Sequence, residues 1–492
     1  MKGTTAPRRL LSIFVVLIIS LTFCFALPAC SKKEEAKKEP AVEKKPAKKL
    51  FRTMRKRRMK VDMSTLPDDL PAALKIIAAG QPWESRKSEM ANVPEGSTQL
   101  YPNYDLKMTR EILLKSFDLG CAFLVKNQKP AGNFGYMYDW LEKKWVEDDN
   151  QVRQAGALWG VALCNHYKPD PKYRAATKKG LKFWFDQTIE GPQGTLTVKY
   201  QDENRTESGT VALIALALID YLRTDQQMTE TERKEMSEKL AGYLHFLQWM
   251  QLDNGLISQS YYPENKKRRN NSSPYFDGES MLAMCKAARI LGYKELVPTI
   301  ERLARAAADK YLLETWKSPK DLDATVTKGF YQWGSMSYAE YYLAQWKDYE
   351  VFGDVTLRLA WWMMHVHETL KKGRNHAYAL EGLVSAYRIA RERKDVDAMA
   401  DILYITDRSF YKLTTWQIAG PLASENSFLQ DHPTTDPTAL GGIMNAKKKT
   451  SDRPRKPRSD VQHELRIDVT QHQMHAVVMA LEYIYNENPK KD

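Results

Sequence analysis

GNFGYMYDWLEKKWVEDDNQVRQAGALWGVALCNHY, residues Gly132–Tyr167, runs from a Gly through a short aromatic stretch and a polar insertion into a helix pattern rich in Ala and Leu. The unit returns as GTLTVKYQDENRTESGTVALIALALIDYL from Gly194 and as NGLISQSYYPENKKRRNNSSPYFDGESMLAMCKAARIL with its Gly at 255. Shorter copies are GFYQWGSMSYAEYYLAQW from Gly329 and GRNHAYALEGLVSAYRIA from Gly373. The sixth is GGIMNA from Gly441, rejoined after a basic loop by LRIDVTQHQMHAVVMALEYIY. Such a repeat organises a whole fold, because each unit buries its apolar face only against its neighbours.

Between the copies lie second helices such as YRAATKKGLKFWFDQTI, ERKEMSEKLAGYLHFLQWMQ and LVPTIERLARAAADKYLLETW, whose apolar residues recur at three and four. Each unit reads as helix, Gly-led loop, helix, with the Gly suited to a left-handed position at a helix end. Strand signals are confined to short stretches such as TLTVKY, too few for a major sheet.

This pattern resembles the α/α-toroid superfold, shared by six-hairpin glycosidases, several polysaccharide lyases, sugar epimerases and the terpenoid-cyclase and prenyltransferase group. The resemblance covers most of residues 100–485 and implies an all-α chain, an α/α toroid of about six helical hairpins. It selects no one family, and the DxDD pattern of cyclases is absent. An open superhelix of tetratricopeptide type is the alternative. Its ~34-residue period does not match the uneven spacing of glycines 132, 194, 255, 329, 373 and 441, which suits a toroid with decorated loops.

Outward from the repeat, the N-terminus has a basic start (Lys2, Arg8, Arg9) and an apolar run from Leu10 to Leu27, the layout of an export signal. LPAC at Leu27–Cys30 looks like a lipobox, which implies a signal peptide at 1–29, lipidation of Cys30 and a membrane-lipid partner. An uncleaved anchor is the alternative, since the run is close to spanning length. By resemblance to Gram-negative lipoproteins, Ser31 implies delivery to the outer membrane, facing the periplasm. Residues 30–62 read as a disordered Lys/Glu/Pro-rich tether, and 63–492 as the toroid domain with a basic disordered loop at 446–460.

The formal charge of +13 does not belong to the body. Residues 31–60 alone carry 14 Lys or Arg against 4 Glu, and the chain from Val61 onward is neutral overall. A neutral body cannot track phosphates, which excludes nucleic acid as a partner. Three cysteines remain in the body, Cys121, Cys164 and Cys285, each in an apolar helical pattern. They read as small buried residues, without a CxxC pair or a disulfide framework.

In a toroid, the Gly-led loops and the first turns of the helices that follow gather at one mouth. Those turns hold Arg153 and Gln154, Glu207 and Ser208, then Tyr275, Asp277 and Glu279, then Tyr338 and Glu340. The last two copies add Asn375, His376 and Glu381, then Asp468, Gln471 and His472. Helix capping is the plain reading of any one of them. Taken together, Asp277, Glu279, Glu381, Asp468 and His472 are the candidate catalytic groups, because carboxylates in a partly desolvated cavity can have their pKa values pushed apart into an acid and a base. Arg153, Gln154, Tyr275, His376 and Gln471 are candidate substrate-binding groups, with Arg153 able to neutralise a sugar carboxylate and Tyr275 or His376 to serve as a base in elimination.

His472 and His475 share one helical face with Asp468, a set that could hold zinc. Without Cys among the ligands, the reading is that neither metal nor cofactor is used. His365 and His367 read as structural. Tyr136, Tyr138, Trp140, Tyr261, Tyr262, Tyr331 and Trp333 are candidates for stacking on sugar rings, whereas Trp361 and Trp362 belong to the core. The expected function is an envelope lipoprotein whose toroid cavity binds or processes a carbohydrate polymer, as a hydrolase, lyase or epimerase. The alternative is a non-catalytic glycan- or protein-binding scaffold.

Overall fold

A computed structural model of the chain describes residues 61–84, 106–201, 203–318, 325–446 and 462–486. The export signal, Cys30, nearly all of the tether and the loop at 446–460 beyond Ala446 lie outside the described residues.

After a first helix, α1 (Leu70–Gly80), outer and inner helices alternate in six hairpins. The outer ones are α2 (Arg110–Lys126), α4 (Pro171–Phe185), α6 (Glu230–Trp249), α8 (Val297–Ala308), α10 (Tyr349–Trp361) and α12 (Val396–Thr414). The inner ones are α3 (Gln151–Tyr167), α5 (Ser208–Thr224), α7 (Pro274–Leu291), α9 (Thr325–Leu343), α11 (Ala377–Glu392) and α13 (Ile467–Tyr483). Each inner helix packs on the next, and α13 returns to α3, so the hairpins close a ring. The all-α toroid expected from the repeat is therefore the fold, and the open superhelix is ruled out.

Composition decides which helices go inside. In α5 every residue from Ser208 to Leu222 is buried, because outer helices cover one side and inner helices the other. A helix apolar all round has no other stable home in a water-soluble domain. The outer helix α8 buries only one stripe, Thr299, Ile300, Leu303, Ala304, Ala307 and Ala308, at the three-and-four spacing of an amphipathic surface helix. Local signals set the starts. Asn150 caps α3, Asp170 with Pro171 at the first position opens α4, and Thr229 and Glu232 form a reciprocal capping box on α6.

Three of the six loops are built alike, and this pattern shows how the ring is closed. Gly132, Gly255 and Gly441 all have left-handed backbone, with φ of 111°, 86° and 85°. Their missing side chains let the loops press on the following outer helix: Gly132 on Lys179, Gly255 on Arg302 and Gly441 on Leu119. A glutamine amide bridges each loop to the same helix. Gln128 donates to Gly132 O (2.9 Å) and Ala176 O (2.9 Å), and Gln251 to Gly255 O (2.9 Å) and Thr299 O (3.0 Å). Gln417 donates to Gly441 O (3.1 Å) and to Ser116 O (2.9 Å) on the first outer helix, so the sixth loop treats α2 as its successor.

Two expectations about the repeat need correction. The glycines sit at turn tips several residues past the helix ends, not at helix C-termini, and Gly292 is the one that closes a helix in left-handed conformation. Gly329 does not lead a loop at all: α9 starts at Thr325 and carries Gly329 inside it. The register of the fourth unit therefore moves, and Tyr338 and Glu340 lie near the end of α9 instead of its first turn.

A third correction concerns the cysteines. Cys121 of α2 and Cys164 of α3 form a disulfide across 43 residues, tying the first hairpin together, while Cys285 is a free buried thiol. Spacing could not reveal the pair, because facing positions on antiparallel helices leave no short-range motif.

Candidate functional site

The N-terminal ends of the inner helices surround a cavity of about 590 Å³. Its wall is completed by a three-stranded sheet in which β1 (Met137–Asp139) pairs with β2 (Lys144–Trp145) and with β3 (Glu464–Arg466). Met137 lies opposite Arg466, so the sheet joins the first hairpin to the sixth and sets Arg466 beside α13.

Six of the ten candidate residues line this cavity: Arg153, Tyr275, Glu279, Asp468, Gln471 and His472. Glu279 is 4% exposed, and its Oε2 has no hydrogen-bond partner among the described residues. Burial alone pushes its carboxyl well above the usual range, which favours the protonated acid. The space for it is made by Gly209 on α5, where any Cβ would collide with the carboxyl.

His472 enters from α13, which stands three places from α7 in a ring of six, so it faces Glu279 across the cavity. Its Nδ1 lies 3.4 Å from Glu381 and 3.1 Å from Gln332 Nε2. Burial depresses the imidazole, but the Glu381 charge and hydrogen bond, with Asp468 behind them, outweigh burial and hold its pKa above the usual value. Trp333 meets the same ring edge-on, with centroids 5.8 Å apart.

Four candidates are corrected. Glu381 is fully buried beneath the cavity, where His475 Nδ1 grips its Oε1 at 2.7 Å. Burial raises its carboxyl, yet the two imidazoles hold it below the usual range, so it orients His472 and cannot itself meet a ligand. Asp277 accepts from the Ile257 amide at 2.6 Å and from the Tyr311 hydroxyl. Gln154 exchanges hydrogen bonds with the Phe134 amide (2.8 Å) and carbonyl (2.9 Å). These two and Thr470, which accepts from the Ile443 amide at 3.1 Å, are the fourth residues of their helices, and each holds the residue two past a loop glycine. The equivalence makes Asp277 and Gln154 loop tethers. His376 is wholly buried, faces the Arg374 carbonyl at 3.3 Å, and is pushed down to about 3 by burial, which keeps it neutral.

Asp468 lines the cavity but is already engaged. Arg466 holds it at 3.0 and 2.7 Å and Arg153 lies 3.4 Å away, so although burial raises its carboxyl, the two guanidiniums keep it low. Arg153 also donates to the Tyr136 hydroxyl.

Sequence reasoning missed Lys328, Gln332, Lys372 and Arg374 and read His367 as structural, whereas all five line the cavity. The misplaced start of α9 hid Lys328 and Gln332. The readable signal was Thr325 and Thr327 ahead of the Gly, ordinary N-terminal residues for a helix. The aromatic set is also corrected, since Tyr136, Tyr138, Trp140, Tyr261 and Tyr331 are core residues and Trp333 alone of the seven reaches the cavity. Trp361 and Trp362 are core, as expected.

At the opposite end, the last turns of the same six helices meet around a space of about 60 Å³. Each contributes an ionisable group: His166, Asp220, Lys286, Glu340, Arg388 and Glu482, with Arg223 and Arg289 beside them. Asp220 accepts from Trp159 Nε1 (2.7 Å) and pairs with Lys286 (3.0 Å) and Arg223 (2.7 Å). Glu340 pairs with Arg289 (2.7 Å) and Arg388 (3.4 Å); burial raises its carboxyl, but these cations bring it down to about 2.

Among solved structures the chain is similar to a D-mannose isomerase, with a TM-score of 0.51, 12% identity, and 77% of this chain and 99% of that chain covered. It is similar also to the cellobiose 2-epimerase of Bacillus thermoamylovorans B4167 (TM-score 0.52, 11% identity, 75% and 98% covered). A third is an unsaturated glucuronyl hydrolase specific for heparin (TM-score 0.52, 10% identity, 75% and 97% covered). At such identities the likeness is one of fold, the six-hairpin α/α toroid. No protein-family model matches the chain, and no curated protein matches it.

Proposed function

We propose that the mouth cavity binds a carbohydrate and moves protons on it, with Glu279 as the acid and His472, oriented by Glu381, as the base. One observation carries this reading: a buried carboxyl whose Oε2 has no partner among the described residues and a carboxylate-backed imidazole, both held above their usual pKa, line one cavity from opposite sides. The three similar structures are named for action on sugars, which agrees with this reading. Elimination or epimerisation fits better than hydrolysis by two carboxylates. Hydrolysis needs a second free carboxylate, and Asp468 is held by two arginines while Asp277 and Glu381 face away.

The test incubates the body with envelope and capsular glycans while following unsaturated-uronate absorbance, new reducing ends, and solvent deuterium entering the sugar. Absorbance or deuterium that vanishes in Glu279→Gln and His472→Gln supports the reading. New reducing ends alone would assign hydrolysis instead, and binding without any turnover would favour a non-catalytic ring.

The protein acts, in this reading, as a lipid-anchored envelope protein. The Cys121–Cys164 disulfide favours an oxidising compartment, in agreement with the export signal and LPAC. Loss of metabolic palmitate labelling and of membrane association in Cys30→Ala would support the anchor; retention of both would reject it.

A further inference from the structure

Two side chains of the mouth cavity are out of keeping with their burial. Gln471 lines the cavity and is 1% exposed, yet its Nε2 has no hydrogen-bond partner among the described residues. The Glu279 Oε2 is in the same condition. Other uncharged polar groups of the wall are engaged: Asn150 accepts from the Arg153 amide (3.1 Å), Asn375 accepts from the Ala377 amide (2.9 Å), and Gln332 meets His472 (3.1 Å). Buried polar groups are nearly always paired, and leaving one unpaired costs stability, so an orphan calls for a ligand or another role.

The fold makes room for both groups on adjoining helices. On α3, a Cβ at Gly160 would stand 2.7 Å from the Gln471 Cγ, and one at Gly156 would stand 3.4 Å from its Oε1. On α5, Gly209 leaves the space that the Glu279 carboxyl fills. The same point above Gly156 is 3.8 Å from Leu213, which lies one helical turn, ~6 Å, along α5 from Gly209. Amide and carboxyl therefore reach neighbouring parts of one surface, with Leu213 as its apolar part in the cavity. His472 follows Gln471 in α13, about 100° further round the helix.

We infer that Gln471 is a specificity-determining contact of this site, its amide holding a hydroxyl of the sugar ring beside the atom on which Glu279 acts. This rests on the reading of the cavity as a carbohydrate site with Glu279 as its acid, and adds what fixes the ring there. An amide both donates and accepts, as a hydroxyl does, and an apolar floor beside it suits the carbon face of a sugar. A sugar without that hydroxyl leaves the amide unpaired in the complex, which is how a site rejects an analogue that lacks one polar group. Gln471 moves no proton; it holds the ring between Glu279 and His472.

The test titrates the full-length protein, wild type and Gln471→Met, by calorimetry with D-glucose, D-mannose and D-glucuronate, each beside its monodeoxy analogues. Methionine keeps the length of the side chain and removes its hydrogen bonds. Wild type is expected to bind a parent sugar at least about tenfold tighter than one of its deoxy analogues. Gln471→Met is expected to bind that pair alike, and to melt no lower than wild type, because the amide has no partner to lose. A deoxy preference intact in the variant, or a melting temperature lowered by several degrees, overturns the inference while leaving a carbohydrate site standing. So does a wild type that binds parent and every deoxy analogue equally. No binding of any of the sugars overturns both.

Discussion

The two ends of the inner helices make opposite use of ionisable residues. At the C-terminal ends, the buried acids Asp220 and Glu340 have two cations each, and the space between the helices shrinks to about 60 Å³. At the N-terminal ends, the space is about 590 Å³, the Glu279 Oε2 has no hydrogen-bond partner among the described residues, and His472 shares its carboxylate with His475. A buried charge needs an opposite charge or a role, since removal from water costs several kcal/mol per ion. The C-terminal end is filled by its ion pairs, and the N-terminal end is the one with room for a ligand.

The comparison breaks most visibly at Glu279. Glu279→Gln keeps the shape and removes the acid, so turnover should fall by about 10²–10⁴-fold with little change in melting temperature. Loss of stability without loss of turnover would make Glu279 structural. Asp220→Ala should do the reverse, leaving Lys286 and Arg223 uncompensated and costing about 3–5 kcal/mol in denaturant unfolding, with ligand affinity kept.

A pH series sharpens the contrast at Asp277, the loop tether. Burial raises its carboxyl to about 7, although the Tyr311 and Ile257 hydrogen bonds pull the other way. A folded-state pKa above the unfolded value favours the protonated fold. The stability is fully present below about pH 4 and is lost as pH rises through 7. About three pKa units correspond to roughly 4 kcal/mol. Asp277→Asn should flatten the dependence of unfolding free energy on pH between 4 and 8, and an unchanged slope would place the titrating group elsewhere. The smallest effect is expected at the disulfide. The double variant Cys121→Ser, Cys164→Ser should lose about 2–4 kcal/mol, read by thermal melting, without altering either end of the ring.

The ring was legible in the sequence because inner and outer helices differ in composition, as α5 and α8 show, and because the glycines at 132, 255 and 441 mark equivalent turns. The convergence of Glu279, Asp468 and His472 followed from that ring. The glutamines at 128, 251 and 417 repeat with those glycines and could have shown that Asp277 and Gln154 are tethers. Three things were beyond one-dimensional reading. Gly329 is an ordinary helix residue, which misplaced Lys328 and Gln332. The disulfide depends on which faces of two helices meet. Finally, whether an acid is spent, as Asp468 is on Arg466, depends on a strand pairing between residues more than 300 apart in the chain.

The seam between the first and last hairpins has a consequence in time. Gln417 reaches Ser116, Asp407 takes the amides of Lys107 and Met108, and Arg110 donates to the carbonyls of Leu481 and Tyr485. These partners are about 300 or more residues apart, so at ~5–20 residues per second the earliest helix waits on the order of tens of seconds for its mates to be synthesised. Until those mates arrive, the margins of the first hairpin that they cover stay open to water, the kind of transiently exposed surface that invites misassembly.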